Sequence, residues 1–161
     1  MILYFLRHAE AAPDGGPLTA AGVASLRGAG PLWRRLNLRP DRVISSPLPR
    51  ALETARLAVE ELRLSAEPIA DDRLAPGADW GAMARALADA DDGRSLLYVG
   101  HEPDLSRAIA LLTGASSVRM RKGSLACVDF YGVPEPGTGE LAWLIDPDLY
   151  AAGDAASGDG M

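Results

Sequence analysis

The chain has 161 residues, 48% of them apolar and 24% charged, with 17 Gly and 12 Pro. That length suits one compact domain with a substantial core, and the composition excludes collagen-like, low-complexity and wholly disordered classes. A formal net charge of -6 argues against nucleic acid as a partner, because binders of the phosphate backbone carry a basic excess.

In chain order the pattern alternates. Ile2 to Leu6 is a continuous apolar run that stops at Arg7-His8, which predicts a strand buried on both faces. The run is too short for a signal-peptide core and has no basic region before it. No stretch approaches the roughly 20 apolar residues of a membrane span. After a loop over Pro13 to Pro17, Thr19 can cap a helix whose inner face is Val23, Leu26, Trp33 and Leu36. Pro31 is expected to kink or split that helix. Arg42 to Ser45 predicts a short strand, and the next helix carries Leu48, Ala51, Leu52, Ala55, Val59 and Leu62 on one stripe. Glu67 to Ile69 reads as a weak strand, and Trp80, Met83 and Leu87 as a helix capped by Asp79. Ser95 to Gly100 predicts another fully buried strand. Leu105, Ala108, Ile109 and Leu112 then mark a helix that Thr113-Gly114 ends. The last third switches to strands over Ser124 to Tyr131 and Glu140 to Ile145, joined by the turn from Pro134 to Gly139.

Strands alternating with helices predict a three-layer α/β/α sandwich around a mostly parallel sheet, with an antiparallel strand in the terminal pair. One domain is expected over residues 1–150. From Ala151 the chain is small and polar residues, so 151–161 is expected to be a disordered tail. The single cysteine, Cys127, makes no internal disulfide and supplies no metal-ligand cluster. The expectation is a cytoplasmic, reduced, monomeric protein with no membrane and no nucleic-acid partner.

Ligands of open α/β sheets gather at the carboxyl ends of the strands. Arg7 and His8 follow the first strand, Ser45, Ser46 and then Arg50 the second, and His101 the strand ending at Gly100. Arginine forks match phosphate geometry and spread the charge of a phosphoryl group in flight. A neutral imidazole is a competent nucleophile toward phosphorus, and a second, protonated one adds a cationic donor. Such a set suffices for phosphoryl transfer without a metal or organic cofactor. Each residue also has a plainer reading. Arg7-His8 can be rim polarity, His101 a helix-start residue beside Pro103 and Asp104, and Arg50 a surface partner of Glu53. Ser45-Ser46-Pro47 can be a strand-to-helix cap. Their coincidence at one sheet edge favours chemistry.

These residues carry a resemblance. Leu6-Arg7-His8-Ala9-Glu10-Ala11 resembles the opening motif of the histidine phosphatase superfamily, in the variant of its SixA-type phosphohistidine phosphatase branch. Pro17-Leu18-Thr19-Ala20-Ala21-Gly22 is similar to the family's next motif. Ser45 to Ala55 is similar to its serine-proline-arginine helix start, and Val99 to Ser106 to its second-histidine motif. Arg121 to Ala126 resembles a later stretch of the SixA branch, and all of these run in family order. The resemblance implies His8 as nucleophile, with Arg7, Arg50 and His101 binding the phosphoryl group and no cofactor required.

The general acid is less defined. Many members use a mid-chain Glu, where this chain reads Asp71-Asp72-Arg73-Leu74-Ala75-Pro76-Gly77. The SixA branch points to an aspartate in the loop after the first motif, which makes Asp14 the nearest candidate and Glu10 the second. Glu102 either favours the imidazolium of His101 or faces solvent, and Asp104 is expected to decorate the positive end of a helix. Arg119, Arg121 and Lys122 are either a rim that steers acidic or phosphorylated substrates or a solvated strand end. The chain has no long insertion between Arg50 and His101 to roof the pocket. An open groove suits a phosphohistidine-bearing protein as substrate. The alternatives are a small phosphorylated molecule, a non-catalytic phosphate-binding module, and a metal hydrolase built on His8 and His101.

Overall fold

The computed structural model describes residues 1–90 and 93–155. Its sheet orders the strands β3-β2-β4-β1-β5-β6, with β1 (Ile2–Arg7), β2 (Arg42–Ser45), β3 (Ile69–Ala70), β4 (Ser95–Gly100), β5 (Leu125–Asp129) and β6 (Glu140–Ile145). β3, β2, β4 and β1 are mutually parallel, whereas β5 runs antiparallel to β1, and β6 to β5. The helices are α1 (Ala20–Arg35), α2 (Pro49–Leu62), α3 (Trp80–Asp89), α4 (Asp104–Thr113) and α5 (Asp148–Ala155). The expected sandwich with its mostly parallel sheet is therefore present.

Both faces of β1 and β4 are covered, which is why their sequences are unbroken apolar runs. Tyr4, Leu6, Leu97 and Val99 join a core with Leu26 and Trp33 of α1, Ala55 and Leu62 of α2, and Tyr150 of α5. Leu3, Phe5, Leu96 and Tyr98 point the other way, to Met83 of α3 and to Leu105, Ile109 and Leu112 of α4. Thr19 caps α1 by accepting the Gly22 N–H, and Asp79 caps α3 by accepting that of Ala82.

Several expectations are corrected. Pro31 lies inside α1 without splitting it; the helix runs on because Ala29, Gly30 and Trp33 are buried around it. Leu36 is exposed at the C-cap, and Leu38 takes the core position instead. β3 covers Ile69–Ala70 rather than Glu67 to Ile69. The strand expected over Ser124 to Tyr131 is confined to Leu125–Asp129. The first residues of the expected disordered tail, from Ala151 to Ala155, belong to α5. Alanine is the strongest helix former, and Tyr150 anchors that helix against Trp33, with ring centroids 5.6 Å apart, while its hydroxyl donates to the Gly123 carbonyl at 2.7 Å. The remainder of the tail, 156–161, lies outside the described residues. No helix among the described residues is long and apolar enough to cross a membrane.

Candidate active site

Strand register brings the candidate residues together. Arg7 pairs with Gly100, and Ser45 with Val99, so His8, His101 and Ser46 leave neighbouring strands at one level of the rim. β5 enters from the opposite direction, with Leu125 opposite Leu6, which places Lys122, Gly123 and Ser124 at the same edge.

The His8 backbone is held on both sides. Its N–H donates to the Gly100 carbonyl at 3.0 Å, and the Gly123 N–H reaches the Arg7 and His8 carbonyls, each at 3.1 Å. Gly123 does this at φ +86°, a conformation that favours glycine. The loop after β1 then settles on α1, where a side chain on Gly22 would strike the Glu10 carbonyl. Ala9 N–H donates to Thr54 Oγ1 at 3.1 Å, and that hydroxyl donates to the Arg50 carbonyl at 2.8 Å. The turn of α2 that carries Arg50 is thereby tied to the residue following His8.

The imidazoles lie with ring centroids 5.4 Å apart, inclined at 56°, and are 7% (His8) and 4% (His101) exposed. His8 Nδ1 is 2.7 Å from the Ala9 carbonyl. A carbonyl only accepts, so Nδ1 carries the proton and Nε2 keeps its lone pair. His101 Nε2 is 2.7 Å from Ser46 Oγ. Arg7 Nη1 donates to the Met120 carbonyl at 3.0 Å, and its Nε is buried without a partner, as is His101 Nδ1. Among the described residues neither Arg7 nor Arg50 is in an ion pair. Buried, unpaired donors around two rings form a cradle for an anion.

Burial pushes the His8 ring down from 6.5 to about 4; the Ala9 carbonyl opposes this, while Arg50, Arg7 and Lys122 add to it. His101 is also lowered to about 4, first by burial and then by His8, Arg50 and Arg7. Both shifts disfavour positive charge on the rings. Burial lowers Arg7 as well, with Glu102 opposing.

The carboxylates divide. Asp14 is exposed, in a loop whose next residue, Gly15, comes so close that a Cβ there would lie 3.1 Å from Arg50 Nη1. Glu10 Oε1 accepts the Thr19 hydroxyl at 3.0 Å. Glu102 Oε1 caps α4 by accepting the Ser106 N–H at 3.0 Å. Asp104 lies in the first turn of α4, at the positive helix end expected of it, and it is 7% exposed with Oδ2 accepting the Gly77 N–H at 2.8 Å, which also anchors the loop before α3. Glu53 accepts the Leu18 N–H rather than pairing with Arg50. The basic run also splits. Arg121 is held by Asp146 and Asp148 at 3.0 and 2.7 Å, Arg119 bears on Asp146, and exposed Lys122 is close enough to disfavour charge on His8. Beside Arg7 a groove of about 400 Å³ is lined by Glu10, Ser25, Lys122 and Asp148 among others. Among the described residues there is no group of three or more His, Cys, Asp or Glu placed to hold a metal ion.

Sequence patterning does not single out Thr54 or Gly123, and it offers Ser46 as a rim residue or a strand-to-helix cap without linking it to His101. The signal for Ser46 was its place one residue past a strand that neighbours the one ending at Gly100.

The model of the histidine phosphatase superfamily (branch 1) matches residues 3–86. An uncharacterized protein of Picosynechococcus sp. is 31% identical over 137 residues, 78% of this chain and 82% of that one. Among solved structures, the protein histidine phosphatase SixA complexed with tungstate is 25% identical with a TM-score of 0.81, over 92% of this chain and 98% of that one. The alpha-ribazole phosphatase from Shigella flexneri shares the fold at 19% identity and a TM-score of 0.67, over 91% and 97% of the two chains. A family match over more than half of the sequence, together with the likeness to SixA, makes this chain a SixA-like member of the histidine phosphatase superfamily, whose members are phosphatases.

Proposed function

We propose that the chain is a metal-independent phosphatase that works through a phosphohistidine intermediate on His8 and removes phosphoryl groups from phosphohistidine carried by a protein. The observation that carries this reading is the hydrogen bond from His8 Nδ1 to the Ala9 carbonyl, which leaves Nε2 as the free nucleophilic atom beside His101.

The phosphoryl group sits between the rings. Arg7 Nε, the Arg50 guanidinium and His101 Nδ1–H take its non-bridging oxygens and offset the charge that spreads over them in transfer. His8 Nε2 attacks phosphorus as the bond from phosphorus to the leaving nitrogen or oxygen breaks, and that atom takes a proton. We assign the proton to Asp14, whose loop neighbour lies against Arg50. Water, giving one proton back to the Asp14 carboxylate, then attacks the phosphorus on His8, the N–P bond breaks, and inorganic phosphate departs with the ring neutral again.

A protein substrate is supported by the likeness to SixA and by the economy of the chain between Arg50 and His101. Its described part is spent on α2, β3, a single 3₁₀ turn, α3 and β4, elements of the sandwich itself. The test is a trap: labelled phosphohistidine protein is added with chelator present and the reaction quenched. Acid-labile, alkali-stable label is expected on the wild type and absent from His8→Ala. Label that survives the substitution removes His8 as nucleophile, and label lost with chelator removes the metal-independent mechanism. Faster turnover of sugar or nucleotide phosphates than of phosphorylated protein would reassign the substrate class.

A further inference from the structure

A neutral histidine binds an anion well only if the nitrogen turned toward it carries the proton. His101 has Nε2 at 2.7 Å from Ser46 Oγ and a buried Nδ1 with no partner. Ser46 is fully buried, and its position is set by the sheet, since its N–H donates to the Val99 carbonyl at 2.9 Å. Ser46 Oγ accepts the Leu48 N–H at 3.3 Å, which occupies one lone pair. The hydroxyl proton still needs an acceptor, and among the described residues its partner is His101 Nε2. Were Nε2 the donor instead, the hydroxyl proton would be buried with nothing to bond, and Nδ1 would turn a lone pair toward the phosphoryl oxygen. Both consequences are unfavourable.

We propose that Ser46 is a positioning residue that sets the tautomer of His101: its hydroxyl donates to Nε2, holds the ring proton on Nδ1, and so offers the phosphoryl group an N–H donor from an uncharged ring. The purpose of this arrangement rests on the phosphatase reading; the tautomer itself does not. His8 is locked in the same tautomer by the opposite device, an acceptor (the Ala9 carbonyl) bonded to its Nδ1. One ring thus presents a lone pair to phosphorus and the other a proton to oxygen, with no charge needed on either. The low proton affinity of the His101 ring is then compatible with binding.

Long-range proton–nitrogen correlation spectra of the ¹⁵N-labelled full chain at neutral pH test this directly. Both rings of the wild type are expected as Nδ1–H tautomers, and His8→Gln leaves the His101 signals alone for assignment. Ser46→Ala is expected to move His101 toward a mixture of tautomers, leave His8 unchanged, and lower kcat about tenfold, the scale of one lost hydrogen bond. A wild-type His101 protonated on Nε2, or a His101 spectrum unaltered by Ser46→Ala, overturns the assignment; the wild-type measurement requires no variant to fold. If the tautomers are as stated but no phosphoenzyme is trapped, the phosphatase reading falls and the role of Ser46 as tautomer lock stands.

Discussion

Two stretches of the same neighbouring strands are buried to a similar depth with opposite chemistry. Within β1 and β4, Leu3, Phe5, Leu97 and Val99 are fully buried and apolar. Just past the strand ends, His8 and His101 are nearly as buried but polar. Withdrawing a leucine from water stabilises the fold, whereas withdrawing an imidazole costs free energy unless each polar atom finds a partner. His101 Nδ1 and Arg7 Nε have none. The interior of the sheet holds the molecule together, and its rim keeps donors unpaired for an anion to complete.

That contrast can be broken by substitution. Leu97→Ala, in the middle of β4, should cost about 2–5 kcal/mol of stability, read from urea unfolding, while kcat of the folded fraction stays near wild type. A comparable loss of kcat would show that core and rim are not separable. Arg50→Ala should do the reverse, lowering kcat/KM by about 10²–10³-fold with little change in the unfolding midpoint. Near-normal turnover would remove Arg50 from the phosphoryl site.

Acid sharpens the comparison with a smaller effect. Both histidines have their pKa lowered in the fold, from 6.5 to about 4, so between those values the unfolded chain binds protons that the folded one refuses. Their contribution is intact above about pH 6.5 and is lost as pH falls toward about 4. Asp41 and Asp71, held low chiefly by hydrogen bonds from Ser95 and Arg73 respectively, lose theirs in more acid solution. The drop in urea midpoint between pH 7 and pH 5 should therefore shrink in His101→Ala. An undiminished drop would place the acid sensitivity elsewhere. The smallest effect is expected from Asp14→Asn: less than about tenfold on a phosphohistidine peptide, whose leaving imidazole can arrive protonated, and more on a phosphoserine peptide. Equal, negligible losses on both would take the proton-donor role from Asp14.

Much of this was legible in the sequence because strand ends and helix caps are local signals. The apolar runs closing at Arg7-His8 and Gly100-His101 marked the rim, and Thr19 and Asp79 cap the helices expected of them. Pro31 does not split α1, because tertiary burial of Trp33 outweighs a missing backbone bond. Tyr150 sat in a segment with few apolar neighbours in sequence, and its partner Trp33 is remote along the chain. Asp104 follows the same rule: its partner Gly77 lies on another loop, and no spacing discloses it. The Ser46–His101 bond depends on the register between β2 and β4, a quantity that exists only once the sheet is formed.

Soaking or co-crystallising the protein with tungstate is the most direct measurement of whether these groups grasp one tetrahedral anion. The geometry predicts the metal atom in line with His8 Nε2, its oxygens bonded to Arg7 Nε, the Arg50 guanidinium and His101 Nδ1. An anion bound away from His8, or held with either ring turned aside, would contradict it.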